Sequence, residues 1–306
     1  MRAVVLRGTG GIWTVRTADG SSIDVTLRGR VKVDGQNKLA VGDEVELEQE
    51  VRGSGWAIAS IQPRRSQLAR RSPGEGYGER VVAANLDQVI VVFAMVSPEP
   101  HVRMLDRFLV IAEANDIPAR IVVNKVDLAP KQVAVDLFGD YARIGYPVHF
   151  TSRVSGEGLV ELHDALQGKN SALTGPSGVG KSSLLNAMYP GLQLRVSAIS
   201  ESVNKGRHTT VGAHAHPLPD GGLVMDTPGL REIGLWGLAA SSLDACFPEF
   251  AASLGECRFA DCIHVAEPSC AVRDAVSDGR ISAARYESYV KLLEEVRAAE
   301  RLSGTG

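Results

Sequence analysis

The sequence carries little net charge and few aromatic residues. Its 306 residues have a formal net charge of -3 and an aromatic share of 5%. These values exclude a chain that is basic over its whole surface, as a general nucleic-acid coat would be. Any contact with RNA must therefore come from a local patch of positive charge.

Long hydrophobic runs are also missing. No uninterrupted apolar run approaches the roughly 20 residues that cross a bilayer, and the start "MRAVVLRGTGG" has no secretory hydrophobic region. We therefore expect a cytoplasmic protein. The apolar share of 44% is enough for a sizeable core and suggests two or three domains.

Cysteine is scarce, and the four cysteines are unevenly spread. Three of them fall with a histidine in "CRFADCIHVAEPSC", which favours a metal site over a disulfide framework. Three thiolates and one imidazole fit tetrahedral Zn²⁺ with no open position, so we expect a structural zinc whose binding is inseparable from local folding. Buried free thiols are the alternative. The predicted ligands are Cys257, Cys262, His264 and Cys270, whereas Cys246 is predicted to be an isolated core cysteine.

Short strands dominate residues 1–63, where segments of alternating polarity are separated by Gly, Asp or Ser turns. Five such strands predict a small barrel, and an OB-type barrel is the natural candidate because it closes five strands and offers one face to nucleic acid. An SH3-like barrel fits the composition equally well. Residues 64–85 are rich in arginine, glycine and proline and predict a flexible basic linker, either merely solvated or in contact with a phosphate backbone.

Residues 86–234 alternate between strand and helix patterns. The run "QVIVVFAMV" suits a strand that is buried on both faces, and helices and strands then follow in turn. This alternation predicts a doubly wound, mainly parallel α/β sheet. Residues 235–306 lack strand signals and predict a zinc-binding α-helical domain. Five residues of its last helix recur at helical spacing and are expected in the core: Tyr286, Tyr289, Val290, Leu293 and Val296.

The segment "GPSGVGKSS" matches the pattern of a phosphate-binding loop between a strand and a helix. Gly175, Gly178 and Gly180 would let backbone N–H groups turn inward around the phosphates. Lys181 would offer its charge to the β and γ oxygens, and Ser182 would place a hydroxyl on Mg²⁺. The alternative is a glycine-rich turn that binds nothing.

The segment "DTPG" ends an apolar strand and predicts a sensor of the γ-phosphate. Asp226 can reach the magnesium shell through water, while the Gly229 N–H approaches the γ-phosphate. A plain strand-ending turn is the alternative. Between the two motifs lies a polar loop with two threonines, of which Thr210 is the preferred magnesium ligand and Thr209 the second choice.

The same polar loop contains a candidate for catalysis. In many GTPases the residue after the "DTPG" glycine is a glutamine that positions the attacking water. Leu230 stands at that position here, so hydrolysis of the nucleotide by the chain alone should be slow. His208 could orient that water instead, although a solvated loop histidine is the alternative. The candidate catalytic residues are therefore His208, Lys181 and Thr210.

The segment "NKVD" at a strand end predicts recognition of guanine. Asp127 can accept hydrogen bonds from the N1–H and the 2-amino group, which adenine lacks, and a buried carboxylate left unpaired would reject adenine. Asn124 would stabilise neighbouring loops, and Lys125 would pack its stem over the base. One strand further along, "TSR" predicts a second guanine-contacting loop, formed by Thr151, Ser152 and Arg153.

The guanine motif precedes the phosphate loop, whereas in most proteins of this kind the phosphate loop comes first. A site built from the carboxyl edge of a sheet depends on where the strands lie in space rather than on chain order. Joining the old termini and cutting elsewhere preserves such a core, so the order predicts a circular permutation. Because the cut falls after "DTPG", the C-terminal domain is attached directly to the predicted γ-phosphate sensor.

The order "NKVD", "TSR", "GPSGVGKSS", "GRHTT", "DTPGL" and "CRFADCIHVAEPSC" resembles the circularly permuted GTPases of the ribosome small-subunit-dependent GTPase A family over nearly the whole chain. The resemblance implies GTP hydrolysis stimulated by the small (30S) ribosomal subunit in its late maturation, rRNA contact through an OB-type barrel and a zinc domain, and a cytoplasmic monomer. It also implies one structural Zn²⁺ per chain and Mg²⁺ with GTP. The residues that it carries over are Asn124, Lys125, Val126 and Asp127 for guanine, Gly175, Pro176, Ser177, Gly178, Val179, Gly180, Lys181, Ser182 and Ser183 for the phosphates, and Cys257, Cys262, His264 and Cys270 for zinc.

Two other classes of function stay open on the residues alone. A phosphotransferase or ATPase could use the same phosphate loop and would then bind ATP as well as GTP. A non-enzymatic, RNA-binding zinc protein could hold a nucleotide only as part of its structure. Turnover of GTP with and without small ribosomal subunits separates the three.

Overall fold

The amino-terminal strands close into a barrel. The computed structural model describes residues 1–28, 39–50, 55–71, 79–194, 213–226 and 238–303. The barrel strands are β1 (Arg2–Thr9), β2 (Ile12–Thr17), β3 (Ser22–Leu27), β4 (Glu44–Gln49) and β5 (Trp56–Ile61). They follow the order β1-β2-β3-β5-β4, with β1 also paired to β4 and β3 parallel to β5. This closed order confirms the predicted OB-type barrel.

Alternating side chains explain the barrel core. In β4, Val45 and Leu47 are buried while Glu44, Glu46 and Glu48 are exposed, since successive residues of a strand face opposite sides. The core is made of small and branched side chains that fit a narrow barrel: Ala3, Val5, Val15, Val25, Val45, Leu47 and Ile58.

Two further strands follow the barrel in the chain. They are β6 (Gln67–Arg71) and β7 (Glu79–Ala84), and they pair antiparallel. The prediction of a flexible basic linker over residues 64–85 is therefore wrong for the described part of this segment. Leu68 and Ala83 are fully buried and belong to the same apolar core as the α/β sheet. The high arginine content of the segment concealed these apolar positions.

Arg64 fixes the start of this segment to the barrel. Its Nε donates to Asp43 Oδ1 at 2.7 Å and its Nη2 to Asp43 Oδ2 at 2.9 Å. The Asp43 side chain is fully buried, and its Oδ2 also accepts the backbone N–H of Ala40 at 2.7 Å. A buried carboxylate requires such partners, because an unpaired charge in the interior is strongly destabilising. Arg64 is thus partly buried in an ion pair with the barrel and does not belong to a solvated run.

A six-stranded sheet forms the centre of the molecule. Its strands are β8 (Gln88–Ala94), β9 (Ala119–Asn124), β10 (Val148–Thr151), β11 (Asn170–Thr174), β12 (His214–Pro217) and β13 (Leu223–Asp226). The order is β10-β9-β8-β11-β13-β12, and all neighbours are parallel except β12, which runs antiparallel to β13. The predicted doubly wound, mainly parallel sheet is confirmed.

Helices cover both faces of the sheet. They are α1 (Val102–Glu113), α2 (Lys131–Ile144), α3 (Leu159–Leu166) and α4 (Lys181–Met188). In β8, Val89, Val91 and Phe93 pack into the core that contains residues of α1 and α2, whereas Ile90 and Val92 pack into the core that contains residues of α3 and α4. The continuous apolar run of β8 follows from this burial on two sides.

The C-terminal region is helical, as predicted. It contains 3-10 turns at Ala240–Ser242, Asp244–Cys246 and Pro248–Phe250, and the helices α5 (Ala271–Ser277) and α6 (Ala283–Ser303). In α6, Tyr289, Leu293 and Val296 are buried, and Tyr286 and Val290 pack against the same core while partly exposed. The predicted core stripe is confirmed. Among the helices that the structure describes, none combines the length and apolar character needed to cross a membrane.

A buried arginine joins the C-terminal helix to the α/β domain. Arg285 of α6 is 2% exposed and pairs with Asp106 of α1 and with Glu249, which it reaches through Nε at 2.7 Å and Nη2 at 3.2 Å. The Tyr141 hydroxyl donates to Asp106 at 2.7 Å, and the guanidinium lies 4.7 Å from the centre of the Phe247 ring. Burial by itself lowers the pKa of Arg285, but its hydrogen bonds to Glu249 and the charge of Asp106 raise that pKa above its usual value.

We expect Arg285→Met to lower the free energy of unfolding by about 3–5 kcal/mol, because it leaves two buried carboxylates without their cation. Denaturant unfolding measures this loss. The control is Arg280→Met, which removes the partner of Asp278 in a pair whose side chains are both mostly exposed and should change stability by less than about 0.5 kcal/mol. Equal effects of the two substitutions would contradict the importance of the buried pair.

Candidate nucleotide site and metal cluster

The predicted nucleotide motifs meet at one edge of the sheet. Strands β9, β10, β11 and β13 run parallel, and each of them ends at a predicted motif. Asn124 at the end of β9 lies beside Thr151 at the end of β10, and Leu173 of β11 lies beside Asp226 at the end of β13. The carboxyl ends of parallel strands form the crevice in which such sheets bind their ligands.

The guanine motif and the phosphate loop are in direct contact. The Asn124 side chain is 3% exposed and donates from Nδ2 to the Val179 carbonyl at 2.8 Å. Lys125 donates from Nζ to the Gly178 carbonyl, also at 2.8 Å. These bonds join parts of the chain that lie 55 and 53 residues apart. The reversed order of the motifs therefore leaves their contact intact.

Asn124 also reaches the second predicted guanine loop. The Thr151 hydroxyl donates to Asn124 Oδ1 at 3.3 Å. Thr151 and Ser152 are fully buried, and the Ser152 hydroxyl accepts the backbone N–H groups of Val154 and Ser155, each at 3.1 Å. One amide side chain thus links the ends of β9, β10 and β11. Arg153, in contrast, is exposed.

Lys125 contacts a loop that sequence reasoning missed. Its backbone has φ 61°, and its ammonium group donates to the carbonyls of Val96 at 3.3 Å and of Ser97. Residues 96 and 97 follow β8, which lies between β9 and β11 in the sheet. The available signal was the position of "VSPEP" directly after a buried strand. The segment matches no phosphate or base motif, so its residue types do not indicate the contact.

Two glycines of the phosphate loop are required by close contacts. Gly175 has φ 133°, and a Cβ there would lie 2.0 Å from the Val92 carbonyl oxygen. Gly180 has φ 98°, and a Cβ there would lie 2.4 Å from Asn124 Nδ2. Since L-residues rarely adopt such φ values, both positions favour glycine for two separate reasons. At Gly180, the side chain that leaves no room for a Cβ belongs to the guanine motif.

The remaining loop residues lie between β11 and the start of α4. Pro176, Ser177, Gly178 and the buried Val179 form the turn, and Lys181, Ser182 and Ser183 form the first turn of α4. Lys181 donates from Nζ to the carbonyls of Gly175 at 2.8 Å and Pro176 at 3.0 Å. Its ammonium group therefore lies over the loop, and the free N–H groups of a helix start favour anions nearby.

Several predicted residues are exposed or lie outside the described ranges. Val126 and Asp127 fall in the 3-10 turn Val126–Leu128 directly after Lys125, and Asp127 is exposed. Asp226 is exposed at the end of β13. Four predicted residues lie outside the part of the chain that the structure describes: His208, Thr209, Thr210 and Gly229.

The predicted zinc ligands form a cluster. The ligand atoms of Cys257, Cys262, His264 and Cys270 all lie within 4.8 Å of one another. His264 Nδ1 is 3.5 Å from the Cys257 sulfur and 3.4 Å from the Cys270 sulfur. The Cys257 and Cys270 sulfurs are 3.9 Å apart. Tetrahedral zinc, with bonds of about 2.3 Å to sulfur and about 2.0 Å to nitrogen, separates its ligand atoms by about 3.5–3.8 Å. The donor set and spacing therefore fit a metal ion of this kind.

The second ring nitrogen of the cluster histidine has a carboxylate partner. His264 Nε2 lies 3.3 Å from Asp244 Oδ2, and the imidazole is 3% exposed. Such a partner fixes the ring orientation of a metal-binding histidine. Sequence reasoning missed Asp244, since nothing in its spacing from the cysteines marks it. Cys246 is buried outside this cluster, as predicted, and burial raises the pKa of its thiol to about 12.

A family model described as RsgA GTPase matches residues 61–236. The chain belongs to the RsgA GTPase family. A relative from Gemmatimonas aurantiaca, named small ribosomal subunit biogenesis GTPase RsgA, is 59% identical over 296 residues, which cover 96% of each chain. A relative of the same name from Moorella thermoacetica is 42% identical over 98% of this chain and 99% of its own length.

Solved structures related to this family share the architecture. YjeQ from Thermotoga maritima is 35% identical, with a TM-score of 0.80 over 96% of this chain and 98% of its own. YloQ, a circularly permuted GTPase, is 30% identical, with a TM-score of 0.73 over 97% of this chain and 95% of its own. The predicted circular permutation and GTPase fold are confirmed by these similarities.

We expect Gly180→Ala to weaken guanine-nucleotide binding by at least tenfold, or about 1.4 kcal/mol, because the added methyl group displaces the Asn124 side chain from the phosphate loop. Titration with GDP measures the dissociation constant. The control is Gly191→Ala, since a Cβ at Gly191 meets nothing within 4 Å. Unchanged affinity in a folded Gly180→Ala protein would contradict the dependence of the site on this contact.

Proposed function

We propose that this chain hydrolyses GTP during late maturation of the small ribosomal subunit and that the subunit stimulates the hydrolysis. The observation that carries the proposal is the hydrogen bond from Asn124 to the Val179 carbonyl, which brings the guanine motif and the phosphate loop to one site. Family membership and the names of the relatives support the assignment to the ribosome.

Guanine recognition is assigned to the loops after β9 and β10. Asp127 accepts hydrogen bonds from the N1–H and 2-amino groups, while Lys125 covers the base and Val126 lines the site. Asn124 holds the surrounding loops through its bonds to Val179 and Thr151. The second loop, formed by Thr151, Ser152 and Arg153, contacts the base from the other side. Adenine offers no donor pair to Asp127, so ATP is rejected.

The phosphates are assigned to the loop after β11. Backbone N–H groups of residues 175–183 donate to phosphate oxygens, and Lys181 neutralises charge on the β and γ positions. The hydroxyls of Ser182 and Thr210 and, through water, the carboxylate of Asp226 are suitable oxygen ligands for Mg²⁺. When bound, Mg²⁺ supplies positive charge at the β and γ oxygens. Gly229 approaches the γ-phosphate, and Thr209 is the alternative to Thr210.

Hydrolysis by the isolated chain is expected to be slow. The Leu230 side chain cannot hydrogen-bond to water, so the residue after the "DTPG" glycine does not position the attacking water. His208 orients that water in our proposal, and the assembled subunit completes the arrangement. Contacts supplied by a partner accelerate GTP hydrolysis by roughly 10³ to 10⁵-fold in other GTPases.

Zinc is the metal that we assign to the cluster of Cys257, Cys262, His264 and Cys270. Three soft sulfur ligands with one imidazole, at the observed spacings, suit tetrahedral Zn²⁺ better than magnesium or calcium, which prefer oxygen. All four positions are filled by protein atoms, so the metal has a structural role. The metal region and the barrel would contact rRNA, in a cytoplasmic protein that acts as a monomer.

We expect GTP turnover to rise by at least tenfold when small ribosomal subunits are added, because they supply contacts that the chain lacks. The measurement is phosphate release with and without subunits, with ATP as the competing nucleotide. The Asp127→Ala variant should bind GTP more weakly and lose its preference for GTP over ATP. The matched control is Asp136→Ala on α2, whose exposed side chain belongs to no predicted motif, so the substitution should leave selectivity unchanged.

Three outcomes contradict parts of this proposal. Equal turnover of ATP and GTP would favour a phosphotransferase or ATPase. Nucleotide binding without turnover, even with subunits, would favour a non-enzymatic RNA-binding protein. Unchanged stimulated turnover in His208→Ala, with unchanged GTP binding, would remove His208 from catalysis.

We expect the purified chain to contain about one zinc ion per molecule and Cys270→Ala to lose it, because three ligands no longer close the tetrahedral site. Elemental analysis measures the metal content, and thermal unfolding measures the accompanying loss of stability. Cys246→Ala is the control, since that thiol is buried outside the cluster. Retention of zinc by Cys270→Ala, or its loss from Cys246→Ala, would contradict the assignment.

A further inference from the structure

A turn of the barrel packs against the strand that carries Asp226. The turn is formed by residues 40–43, between β3 and β4 in the chain. A Cβ added at Gly42 would lie 2.6 Å from Met225 Cε, so the turn backbone approaches that side chain closely. Met225 is fully buried in β13 and directly precedes Asp226. Val41 of the turn and Met225 belong to one apolar core.

The turn is firmly held from both sides. On the barrel side, the Gly42 N–H donates to the Val5 carbonyl and the Val5 N–H donates to the Asp43 carbonyl, each at 2.9 Å. On the other side, Asn85 Nδ2 donates to the Gly42 carbonyl at 2.9 Å and the Ala84 N–H donates to the Val41 carbonyl at 2.8 Å. The turn therefore cannot shift without breaking bonds on one side or the other.

The charged pair described above completes this support. Asp43 holds the turn through the Ala40 N–H and is itself bound twice by Arg64. Both carboxylate oxygens are thus occupied inside the protein. Gly42 has φ 87°, and a Cβ there would lie only 2.2 Å from the Ala84 carbonyl oxygen. A larger residue at position 42 would force the turn away from β7 and from Met225 together.

We infer that the barrel turn, with Gly42 in contact and Asp43 and Arg64 as its support, positions Asp226 by packing on Met225. These are positioning residues, since none of them is placed at the nucleotide. The inference rests on the proposed function, in which Asp226 serves the magnesium shell and the γ-phosphate. Because GDP lacks the γ-phosphate, the turn sets the preference for GTP over GDP more than the affinity for guanine nucleotides in general.

The geometry of β13 explains why the contact of the barrel turn with Met225 can position Asp226. The strand is short, running only from Leu223 to Asp226, and Asp226 is its last residue. It is bound to β11 on one side and to β12 on the other, so its remaining freedom is movement perpendicular to the sheet. Met225 is the last buried side chain before the strand ends. The barrel turn blocks that movement at the residue next to the carboxylate.

Two substitutions test the inference in the full-length chain. Gly42→Ala pushes the turn outward, and Met225→Ala removes the side chain on which it rests. We expect each to weaken binding of a hydrolysis-resistant GTP analogue with Mg²⁺ on the order of tenfold, or about 1.4 kcal/mol, because Asp226 is displaced from the magnesium shell. The affinity for GDP should change by less than about threefold. Calorimetric titration gives both dissociation constants.

The matched control is Leu109→Ala. Leu109 is fully buried in the same apolar core but lies on α1, so its truncation lowers stability without touching the turn. Its ratio of GTP-analogue to GDP affinity should equal that of the unsubstituted chain. The double substitution Gly42→Ala with Met225→Ala should shift the ratio by less than the product of the single effects, because the new methyl group no longer meets Met225 Cε.

The outcomes separate this inference from the function on which it rests. Suppose that the unsubstituted chain prefers the GTP analogue, and that both variants keep the same ratio of GTP-analogue to GDP affinity while unfolding at a lower temperature. The turn is then only structural, and the inference fails. Equal weakening of both nucleotides also overturns it. If the unsubstituted chain binds no guanine nucleotide, the proposed function itself fails, and the inference falls with it.

Discussion

The amide side chain of Asn124 is the interaction on which the candidate site depends. Its Nδ2 binds the phosphate-loop carbonyl of Val179, and its Oδ1 accepts the Thr151 hydroxyl. It thereby connects the ends of β9 and β10 to the phosphate loop that follows β11. Gly180 is confined by the same side chain, since any Cβ there would collide with Nδ2. Because this amide is buried, losing either partner would leave a polar group unsatisfied inside the protein.

Buried arginine–carboxylate pairs secure the two junctions of the molecule. Arg64 and Asp43 connect the barrel to the following segment, and Arg285 with Asp106 connects the C-terminal helix to the α/β domain. Such pairs add little net stability compared with apolar residues, but removing one partner leaves an uncompensated buried charge, which is strongly destabilising. The barrel approaches β13 through Met225.

Particular residues show where sequence reasoning succeeded and where it stopped. The run of β8 predicted burial on both faces because a strand places consecutive side chains on opposite sides, and here residues 89–94 are all apolar. The β6–β7 pair was missed, since Leu68 lies in an arginine-rich stretch and Ala83 in a short apolar run, and only a partner surface makes them core residues. Val96 and Ser97 contribute backbone carbonyls to Lys125. Because every residue has a backbone carbonyl, the residue types there do not indicate such a contact. Asp244 resembles any surface aspartate until His264 is placed beside it.

The sequence by itself determined the chemistry of the chain: a phosphate loop, a guanine motif, three cysteines and a histidine at metal-ligand spacing, and the alternation of a doubly wound sheet. These are local patterns, in which residue type and spacing are the physical requirement. Only the tertiary structure decided that the reversed motifs touch, that the arginine-rich segment pairs as strands, and that a barrel turn rests on Met225. Such contacts join residues far apart in the chain, and their energy depends on three-dimensional packing that no single segment encodes.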